Sequence, residues 1–177
     1  MNSERKVIVY IATSLDGYIA SPNDDLTFLN TVEKEGEDYG YQEFMKGIDT
    51  IIIGRRTYDK VLTIVPEHSY PGKDVYVITR TPKPGKDKLK FYTDNLQQLV
   101  KDLKQQQGKN IFVDGGAQII NELLKSKLID EFYISVIPVL LGKGIPLFDN
   151  NGPEQRLKLN SSKQFEKGLV QLHYTVQ

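Results

Sequence analysis

The chain has 177 residues, 23 basic against 23 acidic side chains, and no net charge. That length suffices for one domain with its own core, and the charge balance supplies no general pull toward nucleic acid or an anionic membrane. The absence of cysteine removes disulfides, thiol catalysis and Cys-ligated zinc, the zinc of nucleobase deaminases included. No secretory apolar region and no long apolar span occur, so a cytoplasmic protein is expected.

Val7 to Ala12 is a continuous apolar run and reads as a first strand. Thr13 to Asp25 gathers Ser, Gly, Pro, Asn and Asp and reads as a loop, within which Tyr18 to Ala20 can re-form strand. Leu26 to Gly47 reads as helix in two pieces, the second carrying Tyr41, Phe44, Met45 and Ile48 at helical spacing. Ile51 to Ile53 is the second buried strand, with a short helix over Thr57 to Leu62. A loop over Pro66 to Gly72 leads to a strand over Asp74 to Thr79, and a basic loop over Pro82 to Lys88 to another at Leu89 to Tyr92. Asp94 is the expected N-cap of a helix reaching Gln107, with Gly108 at its end. Ile111 to Val113 is the next strand, Ala117 to Lys125 the next helix, and Ile129 to Val139 a long β-branched and aromatic strand. Leu157 to Phe165 and Leu169 to Val176 form a hairpin through Glu166-Lys167-Gly168. Strand–helix units followed by strands alone predict an α/β fold, a mostly parallel sheet with an antiparallel C-terminal edge.

Two strand ends carry the chemistry. Ile51-Ile52-Ile53 stops at Gly54 before Arg55, Arg56 and Thr57, and Ile111-Phe112-Val113-Asp114 stops at Gly115-Gly116 before Ala117 and Gln118. A helix N-terminus offers unpaired N–H groups and partial positive charge, and glycine lets a ligand approach the backbone. Two such ends suggest a nucleotide lying across the end of a sheet. The GxGxxG fingerprint is absent. Thr79-Arg80, near Lys83, Lys86 and Lys88, is a candidate clamp for an adenosine-side phosphate. The carboxylates open to acid chemistry are Asp16, Glu37, Asp38, Glu43 and Asp114. Each also has a plain structural reading, as a turn residue, a solvated helix start or a helix cap. His68 and His173 are isolated, so no metal site is predicted.

Val9-Tyr10-Ile11-Ala12-Thr13-Ser14-Leu15-Asp16-Gly17-Tyr18-Ile19-Ala20 resembles the first strand and loop of the dihydrofolate reductase superfamily. Ile53 to Tyr58, Val77 to Arg80, Val113 to Gly116 and Asp130 to Gly142 follow in that family's order. The likeness is nearest the branch related to the C-terminal reductase domain of the bifunctional riboflavin-biosynthesis deaminase/reductase. It implies a dihydrofolate reductase-like three-layer fold in one domain, and NADPH as cofactor. By that resemblance Gly54 to Thr57 and Thr79-Arg80 grip the phosphate and adenosine side. Gly115, Gly116, Ala117 and Gln118 run under the pyrophosphate, the glycine pair often joined by a cis bond. Ala12 and the Asp16 to Ala20 loop flank the nicotinamide. Arg55, Arg56 and Arg80 favour a 2′-phosphate.

The chain departs from folate enzymes in having no Trp, in reading Ser21-Pro22-Asn23-Asp24-Asp25 in the first loop, and in placing Asp114 where an apolar residue is common. The expected activity is hydride transfer to a small heterocyclic or carbonyl substrate, of the 5-amino-6-(5-phosphoribosylamino)uracil reductase type. Asp16 and Asp38 are the expected catalytic carboxyls; Asp38 falls near the pterin-holding acid by spacing. The alternatives are a catalytically silent nucleotide-binding module, a pterin reductase and a structural protein. A homodimer is expected, with Tyr133 to Leu141 as a candidate contact.

Overall fold

The computed structural model describes residues 4–65 and 70–177. Residues 66–69, which carry the first part of the expected Pro66 to Gly72 loop and His68, lie outside the described residues.

The chain builds β1 (Val7–Ser14), β2 (Tyr18–Ala20), α1 (Tyr41–Lys46), β3 (Ile48–Gly54), α2 (Arg55–Ile64), β4 (Asp74–Ile78) and β5 (Leu89–Tyr92). Then come α3 (Leu96–Gln105), β6 (Asn110–Gly115), α4 (Ala117–Lys125), β7 (Glu131–Ile137), β8 (Ile145–Pro146), β9 (Leu157–Gln164) and β10 (Val170–Val176). The main sheet runs β5-β4-β3-β6-β1-β7-β10-β9, and β2 pairs separately with β8. Every neighbour from β5 to β7 is parallel; β10 returns antiparallel to β7, and β9 antiparallel to β10.

Alternation along the central strands splits the core into two layers. Ile51, Ile53 and Phe112 pack with Phe44 and Met45 of α1 and Val61 of α2. Ile52, Ile111 and Val113 point the other way, onto Leu99 and Leu103 of α3 and Ile120 and Leu123 of α4. Strands buried on both faces are why their sequences read as unbroken apolar runs. At the amino ends of the strands Arg5 is 5% exposed. Its guanidinium donates to the Lys109 carbonyl at 2.6 Å, the Leu103 carbonyl at 3.0 Å, Thr50 Oγ1 at 2.7 Å and the Asp49 carboxylate.

Several local expectations shift. The first piece between Leu26 and Gly47 is a 3-10 turn over Thr27–Val32, and only Tyr41–Lys46 is α-helix. Gly36 and Gly40 take φ of +76° and +86° between them, which interrupts any continuous helix. Asn95, not Asp94, caps α3: its side chain accepts from the Gln98 N–H at 2.7 Å. The strand expected over Ile129 to Val139 is confined to Glu131–Ile137 and lies inside the sheet between β1 and β10. Tyr133 to Ile137 therefore has both edges paired within the sheet, while Leu140 beyond it is 70% exposed.

Candidate functional site

A cavity of about 940 Å³ crosses the carboxyl ends of β4, β3, β6 and β1. This is where an open parallel sheet presents ligands to the N-termini of the following helices. Gly54 closes β3 and serves as N-cap of α2; Gly116 follows β6 and serves as N-cap of α4. Neither cap has a side chain to satisfy the first-turn N–H groups, so both helices open uncapped onto the cavity. The two ends touch. A Cβ on Gly116 would lie 2.9 Å from Thr57 Oγ1, and one on Gly54 would lie 3.1 Å from Ile119 Cγ1 and 3.4 Å from the Gly116 nitrogen. Gly115 holds φ +108°, and the Gly115–Gly116 peptide is cis.

Ala12, Gly54, Arg55, Arg56, Thr57, Thr79, Arg80, Gly116, Ala117 and Gln118 all line the cavity; Gly115 is buried behind it as the last residue of β6. The cations differ in commitment. Arg55 donates from Nε to Asp59 at 2.7 Å and stands 5.7 Å over the Phe91 ring. Arg56 pairs with Asp24 at 2.6 Å, tying the first loop to α2. Among the described residues no carboxylate pairs with Arg80 or Lys60, which face the cavity from the end of β4 and from α2.

Asp16 and Asp38 are not among the cavity walls, and their carboxylates are engaged elsewhere. Asp16 accepts from the Ser14 hydroxyl at 2.6 Å and from the Leu141 and Gly142 N–H groups at 3.1 and 2.7 Å. It fastens the β1–β2 turn to the segment after β7. The Ser14 bond first, with the two backbone donors, holds its carboxyl below the usual range. Asp38 accepts from the N–H groups of Gln42 at 2.9 Å and Gly40 at 3.0 Å, which hold it low in the same way. It anchors the entry to α1. The expected catalytic pair thus sits outside this cavity, each carboxylate already holding donors of its own.

The carboxyl at the cavity is Asp114, at the end of β6 directly before the glycine pair. Burial raises its pKa above the ordinary aspartate value, and the bond that the Tyr70 hydroxyl donates to Oδ2 offsets part of the rise. Tyr70 is itself buried, and burial followed by the Asp114 charge raises its phenol. The signal for Asp114 was present in the sequence, as a lone acid closing an apolar strand. Tyr70 had none, because 44 positions separate the two partners. Tyr10, Ala12, Leu26, Leu29 and Val61 are further walls of the same cavity. The Tyr10 hydroxyl is turned away, donating to the Tyr39 carbonyl at 2.7 Å and accepting from Gln171 Nε2 at 2.9 Å, so its ring forms the wall. Thr93 to Gln97, before and within the first turn of α3, line the cavity too. Ile145 of β8, in the segment after Gly142, is a further wall.

This order of strands, with a cavity across their carboxyl ends, defines a dihydrofolate reductase-like α/β protein. Residues 5–171 match the RibD C-terminal domain, and the chain belongs to that family. It is 44% identical over 172 residues to the uncharacterized protein YwjB of Bacillus subtilis, covering 97% of this chain and 98% of that protein. A candidate riboflavin biosynthesis protein from Shewanella sp. PV-4 superposes with a TM-score of 0.87 at 33% identity, over 97% of this chain and 99% of that one. The Thermotoga maritima diaminohydroxyphosphoribosylaminopyrimidine deaminase/5-amino-6-(5-phosphoribosylamino)uracil reductase shares the fold. Its TM-score is 0.72 at 14% identity, over 98% of this chain and 57% of that one. Family membership carries a reductase-like role. Among the described residues no helix is long and apolar enough to cross a membrane.

Proposed function

We propose that this protein is a cytoplasmic NADPH-dependent reductase that delivers a hydride to a small heterocyclic or carbonyl substrate, of the phosphoribosylaminouracil reductase type. The observation that carries the reading is the meeting of two uncapped helix N-termini at Gly54 and Gly116, in a cavity spanning four strand ends. Orphan N–H groups with partial positive charge suit a pyrophosphate, and the space that a Cβ on Gly116 would fill suits close passage of a ligand. Arg80, uncommitted among the described carboxylates, suits a 2′-phosphate. These features fit the cofactor that the family resemblance implies.

NADPH, bound there, supplies the hydride. The chain supplies the rest. The N–H groups of Thr57, Ala117 and Gln118 hold phosphate oxygens, and Arg80 holds the outer phosphate. Ala12 and Ile19 bound the space toward β1. Asp114, whose proton burial holds more tightly than in a free aspartate, stands at the end of the same run of backbone as a proton donor. Tyr10, Leu29 and Val61 exclude water from the reacting atoms. Lys60 is the cation placed for a substrate anion such as a ribose phosphate.

Gly116→Val tests the cofactor assignment. The new side chain must displace the Thr57 hydroxyl and fill the pyrophosphate passage, while the sheet is untouched. NADPH affinity is expected to fall by two orders of magnitude or more, about 2.7 kcal/mol, with an unchanged circular dichroism spectrum. A folded variant with wild-type affinity would remove the assignment.

A further inference from the structure

Tyr70 is not a wall of the cavity, yet its hydroxyl donates to the carboxyl beside the glycine pair. We propose that Tyr70 is a positioning residue for Asp114: by occupying Oδ2 as a donor, it places the acid's proton on Oδ1, the oxygen left for the substrate. The proposal rests on the reductase reading of the site.

The chemistry follows from counting donors and acceptors. Tyr70 is 7% exposed and packed among Ile48, Ile51, Ile53, Val75, Val77 and Phe112. A phenol so enclosed needs an acceptor for its O–H. Asp114 Oδ2 is that acceptor, and among the described residues the Asp114 side chain has no second hydrogen-bond partner. A protonated carboxyl has a single O–H. If that proton sat on Oδ2, the Tyr70 O–H would meet the acid's hydroxyl oxygen, a poorer acceptor than its carbonyl oxygen, with two hydrogens crowded at one atom. On Oδ1 both are accommodated: Tyr70 donates to Oδ2, and Oδ1–H is presented to the cavity that Asp114 lines. Tyr70 keeps its own proton throughout, because burial and the neighbouring carboxyl both disfavour the phenolate. Among the described residues the other titratable groups whose charge bears on the pair are the phenols of Tyr41 and Tyr58, and Arg55 and Lys60 of α2 line the same cavity.

A proton fixed on one oxygen selects the acceptor. The substrate carbon takes the hydride, the electron pair of its double bond moves to the attached heteroatom, and that heteroatom takes the Oδ1 proton. The Asp114 carboxylate that remains keeps its Tyr70 bond and regains a proton from water. The site is thereby built for C=O or C=N bonds, whose heteroatom is basic enough to receive a proton, rather than for C=C bonds.

Infrared difference spectroscopy over a pH titration reads this without a substrate. The protonated-carboxyl band of Asp114 is identified by its loss in Asp114→Asn. Tyr70→Phe keeps the ring and removes the donor. The band is expected to move to higher frequency, because its C=O is no longer hydrogen-bonded, and its titration midpoint is expected to rise. Replacement of tyrosine by 3-fluorotyrosine, a stronger donor in the same place, is expected to lower the midpoint. It serves as the second test should Tyr70→Phe fail to fold. A band and midpoint unmoved by either change, or no Asp114 band at neutral pH, would overturn the proton placement. NADPH fluorescence titration of the same samples separates the two readings. Absence of NADPH binding with a shifting band removes the reductase reading alone, whereas NADPH binding with an unmoved band removes the role of Tyr70 alone.

Discussion

Asp114 shows what a single residue gains from its surroundings. The same carboxyl group is held low at Asp16 by the Ser14 hydroxyl and at Asp38 by backbone N–H groups, but is raised at Asp114 by burial. Its proton is bound more tightly in the folded chain than in the unfolded one. The stability this gives is fully present below the ordinary aspartate range and is lost as pH rises through the raised value. Asp114→Asn carries no such proton. The melting temperature of the variant is therefore expected to gain on the wild type as pH climbs through that window. Parallel curves in a pH series of thermal melts would contradict the assignment. The acid was visible in the sequence as a lone charge ending an apolar run. What set it apart from Asp16 and Asp38 was not, because that depends on which carboxylate the strand order brings to the cavity wall. Arg55, Arg56 and Arg80 divide by their partners: Asp59 and Asp24 take the first two.

At the scale of elements, the strands were legible wherever burial on both faces wrote an unbroken apolar run, as at Ile51 to Ile53 and Ile111 to Val113. Helices α3 and α4 were legible from their period and from the glycine pair before α4. The segment from Leu26 to Gly47 was not, because Phe28 and Val32 are buried from a 3-10 turn whose spacing mimics helix. The α3 cap moved by one residue because Asp and Asn are both good caps, and backbone geometry alone decides between Asp94 and Asn95. Arg5 had no local signal, yet it joins β3, α3 and the turn before β6 through Asp49, Thr50, Leu103 and Lys109. Arg5→Ala would leave two carbonyls and a hydroxyl short of a donor beneath the sheet and Asp49 without its cation. Urea denaturation is expected to show a loss of about 3 kcal/mol. A loss within about 0.5 kcal/mol, the range of ordinary surface changes, would mean that water replaces the guanidinium freely.

For the whole molecule, strand content was legible and strand order was not. The placement of β6 between β3 and β1 is set by tertiary pairing, and that pairing alone brings Gly54 against Gly116. Long-range ties such as Asp16 to Leu141 and Gly142 likewise have no sequence signature. We also propose a homodimer. The segment first suited to the contact lies inside the sheet, but β9 is an unpaired edge exposed at all eight of its residues, with Leu157 39% and Leu159 50% exposed. Such edges pair readily with a second chain. Light scattering at micromolar concentration should give twice the 20.2 kDa of one chain; a monomer would end the proposal. The central claim is the cofactor site, and calorimetric titration with NADPH and NADH in parallel tests it most directly. NADPH is expected to bind and NADH to bind at least tenfold more weakly, about 1.4 kcal/mol, with Arg80→Ala removing most of that difference. Binding of neither nucleotide would mean that the two glycine turns only pack the fold, and the reductase assignment would fall with them.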